Sequence, residues 1–138
     1  MNTSTSIKLS NTFRFPDWSS KTFLVAEDIH TNFLLIEAML EVTHAKLLWA
    51  RDGAEALEMF NNNSAIDITL MDINLPILTG LEVTREIRKK NPQAIIIAQT
   101  AYYYIHNKTE ALNAGCAAFL TKPLRRKELI ESINSFFS

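Results

Sequence analysis

Five short apolar runs without polar alternation constrain the fold of this sequence more than any other feature. They span residues 22–26, 46–50, 66–71, 94–98 and 118–121. Runs of this length are too short for helices, and their lack of polar alternation is typical of strands covered on both faces. The pattern therefore predicts five buried strands in a parallel sheet.

Segments with helical spacing of apolar residues follow each of these runs. They span residues 31–42, 54–60, 80–90, 107–114 and 125–137. Asn91-Pro92 after the third segment and Gly115 after the fourth are residues at which helices typically end. Strand and helix thus alternate five times with short connections, which predicts an α/β fold with helices on both faces of the sheet.

Composition excludes several classes of protein. The 138 residues, 47% of them hydrophobic, suit one domain with a substantial core. A formal net charge of −1 gives no reason to expect nucleic-acid binding through bulk electrostatics. No apolar run approaches the roughly 20 residues that span a bilayer, so we expect a cytoplasmic domain. The single cysteine, Cys116, excludes an intramolecular disulfide and is interpreted as a core residue.

The beginning of the chain differs from the rest. Residues 1–11 are rich in Ser, Thr and Asn without periodicity, and residues 12–18 mix aromatic residues with a proline. We interpret residues 1–20 as a linker or lead-in segment whose aromatic side chains could fold back onto the domain. Residues 21–138 are then predicted to form the domain itself.

Polar residues follow four of the five predicted strands. Glu27 and Asp28 follow the first strand, and Asp72 follows the third. Thr100 follows the fourth strand and Lys122 follows the fifth. The carboxyl ends of parallel strands meet at one edge of the sheet, where functional groups gather in such folds. Each residue alone would be explained as a helix cap or a solvated loop residue. Bringing all of them into one crevice costs desolvation free energy, which indicates that they serve a ligand or a reaction.

The chemistry of this set fits phosphoryl transfer. Carboxylates packed closely repel one another unless a divalent cation lies among them, and Mg²⁺ prefers hard oxygen ligands. Asp28 and Asp72 would bind the cation directly, and Glu27 directly or through water. A carboxylate can act as a nucleophile toward phosphorus. Lys122 and the Thr100 hydroxyl would then stabilise the phosphoryl oxygens.

Several short motifs stand in order along the chain: VAED at 25–28, LMDINLP at 70–76, Gly80, AQTA at 98–101 and AGCAAFLTKP at 114–123. In these motifs and their order, the sequence from about residue 22 to residue 137 resembles the receiver domain of two-component response regulators. This resemblance implies a flavodoxin-like, doubly wound five-stranded parallel sheet of order 2-1-3-4-5 with five helices, arranged as a three-layer sandwich.

The resemblance also implies the roles of the acidic residues. Asp72 would be the phosphoacceptor. Mg²⁺ (or Mn²⁺) would be bound by Glu27, Asp28 and Asp72, together with the main-chain carbonyl of Asn74.

Further roles follow from the same resemblance for the ends of the fourth and fifth strands. Thr100, Ala101 and Lys122 would bind the phosphoryl group. Phe119 would be the aromatic residue whose rotamer follows the state of Thr100. The bond from Lys122 to Pro123 is a candidate cis peptide bond, because proline lowers the cost of the cis form.

Two residues depart from the family's usual pattern. Gln99 stands where an apolar residue is common, so its amide needs a partner if it is buried. Tyr102 stands two positions after Thr100, where small or charged residues are frequent. We hypothesise that Tyr102, together with Asn74, modulates dephosphorylation, with Tyr102 shielding the acyl phosphate from water. The alternative is that residues 102–104 are exposed or half-packed loop aromatics.

The histidines and Trp49 each have a simple structural interpretation or a minor role. His30 could modulate access of the cation, and His44 and His106 are interpreted as surface residues. Trp49 on the second strand is interpreted as packing rather than as a ligand contact. No histidine of the chain is a persuasive phosphodonor.

The implied function is phosphorelay signalling, with a histidine kinase as phosphodonor and control of a partner or onward relay to a His-containing phosphotransfer domain as the output. Beyond self-phosphotransfer and slow autodephosphorylation, we expect no conventional enzyme activity. Residues 18–21 resemble the connector that precedes receivers in hybrid sensor kinases. This resemblance favours a domain of a hybrid kinase over a stand-alone receiver, and a hybrid kinase could be anchored in the membrane. Residues 105–137, the fourth helix, fifth strand and fifth helix, would form a dimer or docking surface. We expect no direct contact with nucleic acid or membrane.

Three alternatives use similar elements. A phosphohydrolase of the haloacid dehalogenase type resembles a pattern with a second Asp two residues after the nucleophile, where this chain has Asn74. A flavodoxin-like cofactor binder needs a phosphate-cradling loop after the first strand, where Glu27 and Asp28 would repel the phosphate. A degenerate receiver acting only as a scaffold is disfavoured by the complete set of site residues.

Overall fold

The computed structural model describes residues 14–101 and 107–137. Within them, five strands alternate with five helices. The strands are β1 (Thr22–Ala26), β2 (Lys46–Ala50), β3 (Ile68–Asp72), β4 (Ile96–Ala101) and β5 (Ala118–Lys122). The helices are α1 (His30–Leu40), α2 (Gly53–Asn61), α3 (Gly80–Lys90), α4 (Asn107–Ala114) and α5 (Arg126–Asn134). A short 3₁₀ turn, Glu41–Thr43, continues α1.

The strands form one parallel sheet in the order β2-β1-β3-β4-β5. Successive residues of a strand face opposite sides of the sheet, so Val25 and Leu24 belong to different cores. Val25 packs with residues of α1 and α5 on one face, whereas Leu24 packs with residues of α2, α3 and α4 on the other. The predicted three-layer, doubly wound fold is therefore confirmed.

The ends of several elements differ from the sequence-based prediction. β3 begins at Ile68, two residues later than predicted. Before it, Asp67 bonds to the first residue of β1 partly through its side chain: its carboxylate accepts the Thr22 N–H at 2.8 Å, and its own N–H donates to the Thr22 carbonyl at 2.8 Å. α5 ends at Asn134, before the predicted end at residue 137. Phe136 and Phe137 leave the helix and pack against the core on the α1 and α5 face.

Trp18 joins the segment before β1 to this core. Its side chain is 3% exposed, and its ring meets Phe23 edge-on at 5.4 Å and Phe137 at 5.7 Å between centroids. The main-chain N–H of Trp18 donates to the Thr43 carbonyl at 2.7 Å. Trp18 thus packs as a core residue, while the division of the chain at residue 20 stays a prediction.

None of the described helices has the length and apolar character needed to cross a membrane.

Replacing Trp18 by Ala should lower the free energy of unfolding by about 3 kcal/mol, because truncating a buried tryptophan leaves a cavity among rings that cannot fully close. Urea unfolding measures the change. Ser20→Ala, an exposed position in the same segment, is the matched control and should stay within about 0.5 kcal/mol of the unaltered chain. Equal stabilities for the two variants would mean that the segment does not contribute to the core.

Candidate functional site

The predicted site residues lie together at the carboxyl edge of the sheet. Glu27 and Asp28 directly follow β1, as expected. Asp72 and Lys122 are the last residues of β3 and β5, and Thr100 lies one position before the end of β4. These three belong to the strands rather than following them, because the register continues as far as the pairs Asp72↔Gln99 and Ala101↔Lys122.

Three carboxylates form the acidic part of the site. Glu27, Asp28 and Asp72 each offer an oxygen, and these oxygens lie within 4.8 Å of one another. Glu27 is 0% exposed and Asp72 is 5% exposed, whereas Asp28 is open to solvent. Negative charges this close repel one another, and hard oxygen donors at this spacing fit a divalent cation such as Mg²⁺.

The ammonium of Lys122 bridges two of the carboxylates. Its Nζ atom donates to Glu27 Oε1 at 2.9 Å and to Asp72 Oδ2 at 2.9 Å. Burial pulls the pKa of Lys122 down, but the hydrogen bonds to Asp72 and Glu27 outweigh it, so the pKa is raised and the side chain stays charged. Burial raises the pKa of Glu27; the hydrogen bond from Lys122 opposes this and repulsion from Asp72 adds to it, leaving the pKa raised.

Main-chain amides hold the second oxygen of both buried carboxylates. Ile29 N–H donates to Glu27 Oε2 at 3.2 Å, and Asn74 N–H donates to Asp72 Oδ1 at 2.9 Å. In each case the donor lies two residues after the acid, which is the spacing of a side-chain turn. These contacts were not predicted from the sequence, although an acidic residue at a strand end followed by a loop is the signal for them.

The side chain of Asn74 makes a second contact that the sequence did not reveal. Its Nδ2 atom donates to Thr100 Oγ1 at 3.3 Å, and Thr100 is 1% exposed. Asn74 therefore links the end of β3 to the hydroxyl on β4. One residue contacts both Asp72 and Thr100.

The remaining predicted residues occupy the neighbouring strands and loop. Ala101 ends β4 and is half-buried. Phe119 on β5 is paired with Ala98 and packs on the α2–α4 face of the sheet. The peptide bond from Lys122 to Pro123 is cis. Tyr102 lies outside the described residues, so its suggested role remains a hypothesis.

Gln99 is buried with its amide unsatisfied. It is 1% exposed, and neither its nitrogen nor its oxygen finds a hydrogen-bond partner among the described residues. It lines a cavity of about 350 Å³ beside the site, together with residues of α1 and the segment after β5: Asn32, Leu35, Ile36, Pro123 and Leu124. The departure from the family pattern noted in the sequence therefore puts a polar group into the core.

Cys116 is buried, as expected from the sequence. Burial raises the pKa of its thiol, and a weak contact at 3.8 Å joins its sulfur to the hydroxyl of Thr84. Its position in the α2–α4 core separates it from the acidic cluster.

The fold and site define a flavodoxin-like α/β domain with an acidic cluster, a lysine and a hydroxyl at the carboxyl edge of its sheet. A family model described as the response regulator receiver domain matches residues 23–134, and the chain belongs to this family. It is thus a receiver domain of two-component phosphorelay signalling.

Relatives of known identity agree with this family. The chain is 36% identical over 114 residues to the autoinducer 2 sensor kinase/phosphatase LuxQ of Vibrio vulnificus, covering 82% of this chain. It spans only 13% of the length of that relative.

Solved receiver structures are similar in fold. The receiver domain of sensor histidine kinase PA1611 from Pseudomonas aeruginosa, which holds a magnesium ion in its active-site cleft, shares 33% identity with a TM-score of 0.76, covering 83% of this chain and 95% of that one. The Saccharomyces cerevisiae receiver domain of Ssk1, crystallised with the histidine phosphotransfer protein Ypd1, gives 28% identity and a TM-score of 0.77, with 88% and 90% coverage.

Replacing Gln99 by Met removes two unpaired polar atoms and keeps an unbranched side chain of similar length. We expect the free energy of unfolding to rise by about 1–2 kcal/mol, since a buried amide without partners costs about 1–3 kcal/mol. Urea unfolding tests this, with Gln93→Met at an exposed position as the matched control. A less stable Gln99→Met protein would indicate that the amide gains a compensating bond in solution.

Proposed function

We propose that this chain accepts a phosphoryl group from the phosphohistidine of a histidine kinase onto Asp72 in a Mg²⁺-dependent reaction. The observation that carries the proposal is the juxtaposition of three carboxylates within 4.8 Å with a lysine ammonium 2.9 Å from two of them. A charged cluster of this kind at a sheet edge is costly unless it serves a ligand or a reaction.

The donor set fits a divalent cation. Asp28 and Asp72 would bind it directly, Glu27 directly or through water, and Asn74 through its main-chain carbonyl. Oxygen ligands with one acid exposed to solvent suit Mg²⁺, which tends to keep some of its waters. When bound, the cation would neutralise charge on the phosphoryl oxygens. The magnesium ion in the cleft of the PA1611 receiver supports this assignment.

The transfer step assigns a distinct task to each polar group. A carboxylate oxygen of Asp72 forms the bond to phosphorus while the phosphorus–nitrogen bond of the donor breaks and its electron pair returns to the imidazole. Lys122, already paired with Asp72, would donate to the phosphoryl oxygens and stabilise their negative charge. The buried hydroxyl of Thr100 and the main-chain N–H of Ala101 would donate to the same group.

Partners would approach over the exposed apolar residues around the site. Ile29, Leu35 and Ile77 are all exposed, and Ile77 has the highest exposure of them at 76%. The complex of the Ssk1 receiver with Ypd1 supports a His-containing phosphotransfer domain as one such partner. A dimer or output surface on α4, β5 and α5 remains a separate proposal, as does an origin in a hybrid kinase like LuxQ.

Incubation with acetyl phosphate and Mg²⁺ should add one phosphoryl group to the chain, detected by intact mass. Asp72→Asn should abolish the adduct, because an amide is not a nucleophile toward phosphorus. Asp67→Asn, which alters an acid at the opposite end of β3, is the matched control and should leave the adduct unchanged. If neither this donor nor a histidine kinase produced an adduct, a scaffold role would replace the proposal.

The lifetime of the phosphorylated form should depend on Tyr102 if its ring shields the acyl phosphate from water. Tyr102→Ala is expected to shorten the lifetime several-fold, and Tyr102→Phe, which keeps the ring, should preserve most of it. Loss of the adduct is followed over time by intact mass after removal of the donor. Unchanged decay in Tyr102→Ala would rule out shielding and leave Asn74 as the proposed modulator.

A further inference from the structure

Trp49 holds the main chain at the acidic pair. It lies on β2 in register with Val25, and its indole Nε1 donates to the main-chain oxygen of Glu27 at 2.7 Å. The N–H of Glu27 donates to the Ala50 carbonyl at 2.9 Å. Both main-chain polar groups of Glu27 are therefore bonded to β2, and the bond to its carbonyl depends on the side chain of Trp49 alone.

The same indole also contacts the beginning of α1. The rings of His30 and Phe33 both stack on Trp49, with centroids 4.8 Å away and interplanar angles of 13° and 12°. These two residues are three apart on the helix and so share one face. Among the described helices, α2 and α3 have side-chain caps, whereas α1 and α5 start without one. Ring stacking on Trp49 therefore anchors a helix start that no side-chain cap holds.

Asp28 lies between these two fixed points. The residue before it is bonded to the indole N–H through its carbonyl, and the helix that begins two residues after it stacks on the indole ring. Ile29, the one residue in between, has its N–H occupied by Glu27 Oε2. The path of the main chain through Asp28 is therefore set from both sides by Trp49.

We propose that Trp49 is a positioning residue for the cation site, acting through the Glu27 carbonyl and the start of α1 without touching the cation. This inference rests on the proposed function, in which Glu27, Asp28 and Asp72 bind a divalent cation. Groups that orient metal ligands from outside the coordination sphere commonly alter affinity when they are removed. A role in packing alone would change stability and leave the affinity of the folded protein unaltered.

Isothermal titration with Mg²⁺ separates the two roles. Trp49→Phe keeps a flat ring for stacking but lacks the N–H, and should raise the dissociation constant for Mg²⁺ about tenfold. Trp49→Leu, which lacks both, should raise it further. Trp18→Phe is the matched control, because it alters the other tryptophan of the chain, in the core away from the site, and should leave the affinity unchanged.

The outcomes distinguish the inference from the function on which it rests. Absence of Mg²⁺ binding by the unaltered chain would refute the proposed cation site itself. Binding by the unaltered chain with an equal dissociation constant in folded Trp49→Phe, as verified by circular dichroism, would refute the role of Trp49 alone.

Fluorescence provides a second measurement that does not require altering Trp49. The chain contains two tryptophans, so Trp18→Phe leaves Trp49 as the only indole. Adding Mg²⁺ should change the emission of Trp18→Phe with the same midpoint as calorimetry, and should leave the emission of Trp49→Phe unchanged. An unaltered Trp49 emission at Mg²⁺ saturation would overturn the coupling even if Trp49→Phe failed to fold.

Discussion

The two ion pairs of Lys122 are the interaction on which the carboxyl edge of the sheet depends. Lys122 ends β5, and its side chain reaches past β4 to contact Asp72 on β3 and Glu27 after β1. Removing one member of such a buried group leaves an uncompensated charge, which costs about 3–5 kcal/mol. The ammonium therefore makes it possible for two buried carboxylates to remain beside each other, and it joins β5 to the ends of β3 and β1 across the intervening β4.

Glu27 and Asp28 differ in their surroundings, and under the proposed function this difference would divide their tasks. Both carboxylate oxygens of Glu27 are bonded and its side chain is fully buried, so it acts as a fixed anchor. Asp28 is exposed to solvent, which suits a ligand that binds and releases a hydrated cation. Lys122 and a divalent cation would share the same negative charge, so cation binding would redistribute the existing ion pairs without requiring a new site to form.

Most of the architecture could be predicted from the sequence, because periodicity is a local property. The runs around Val25 and Ile97 read as buried strands without any knowledge of their neighbours, and strand ends then bring Asp72 and Lys122 to one edge. The order of the strands was expected only from the resemblance to receivers. Contacts that depend on the direction of a side chain could not be predicted. The sequence favours a packing role for Trp49, and its N–H bond to Glu27 was not predicted because that bond depends on β2 lying beside β1. The sequence indicates that the Gln99 amide needs a partner if it is buried. The cavity beside it could not be predicted, because that cavity depends on how α1 meets the chain after β5.

Asn74 connects the carboxylate of Asp72 to the hydroxyl of Thr100 through two hydrogen bonds. Its main-chain N–H donates to Asp72 Oδ1 and its side chain donates to Thr100 Oγ1. Under the proposed function, phosphorylation of an Asp72 carboxylate oxygen would remove the carboxylate charge that Asn74 and Lys122 now contact and would add phosphoryl oxygens nearby as acceptors. The Thr100 hydroxyl, which accepts from the Asn74 amide, would then donate its own hydrogen to a phosphoryl oxygen, because hydrogen bonds to charged acceptors are strong. The hydroxyl lies one residue before the end of β4, so a displacement of Thr100 would act directly on the end of that strand.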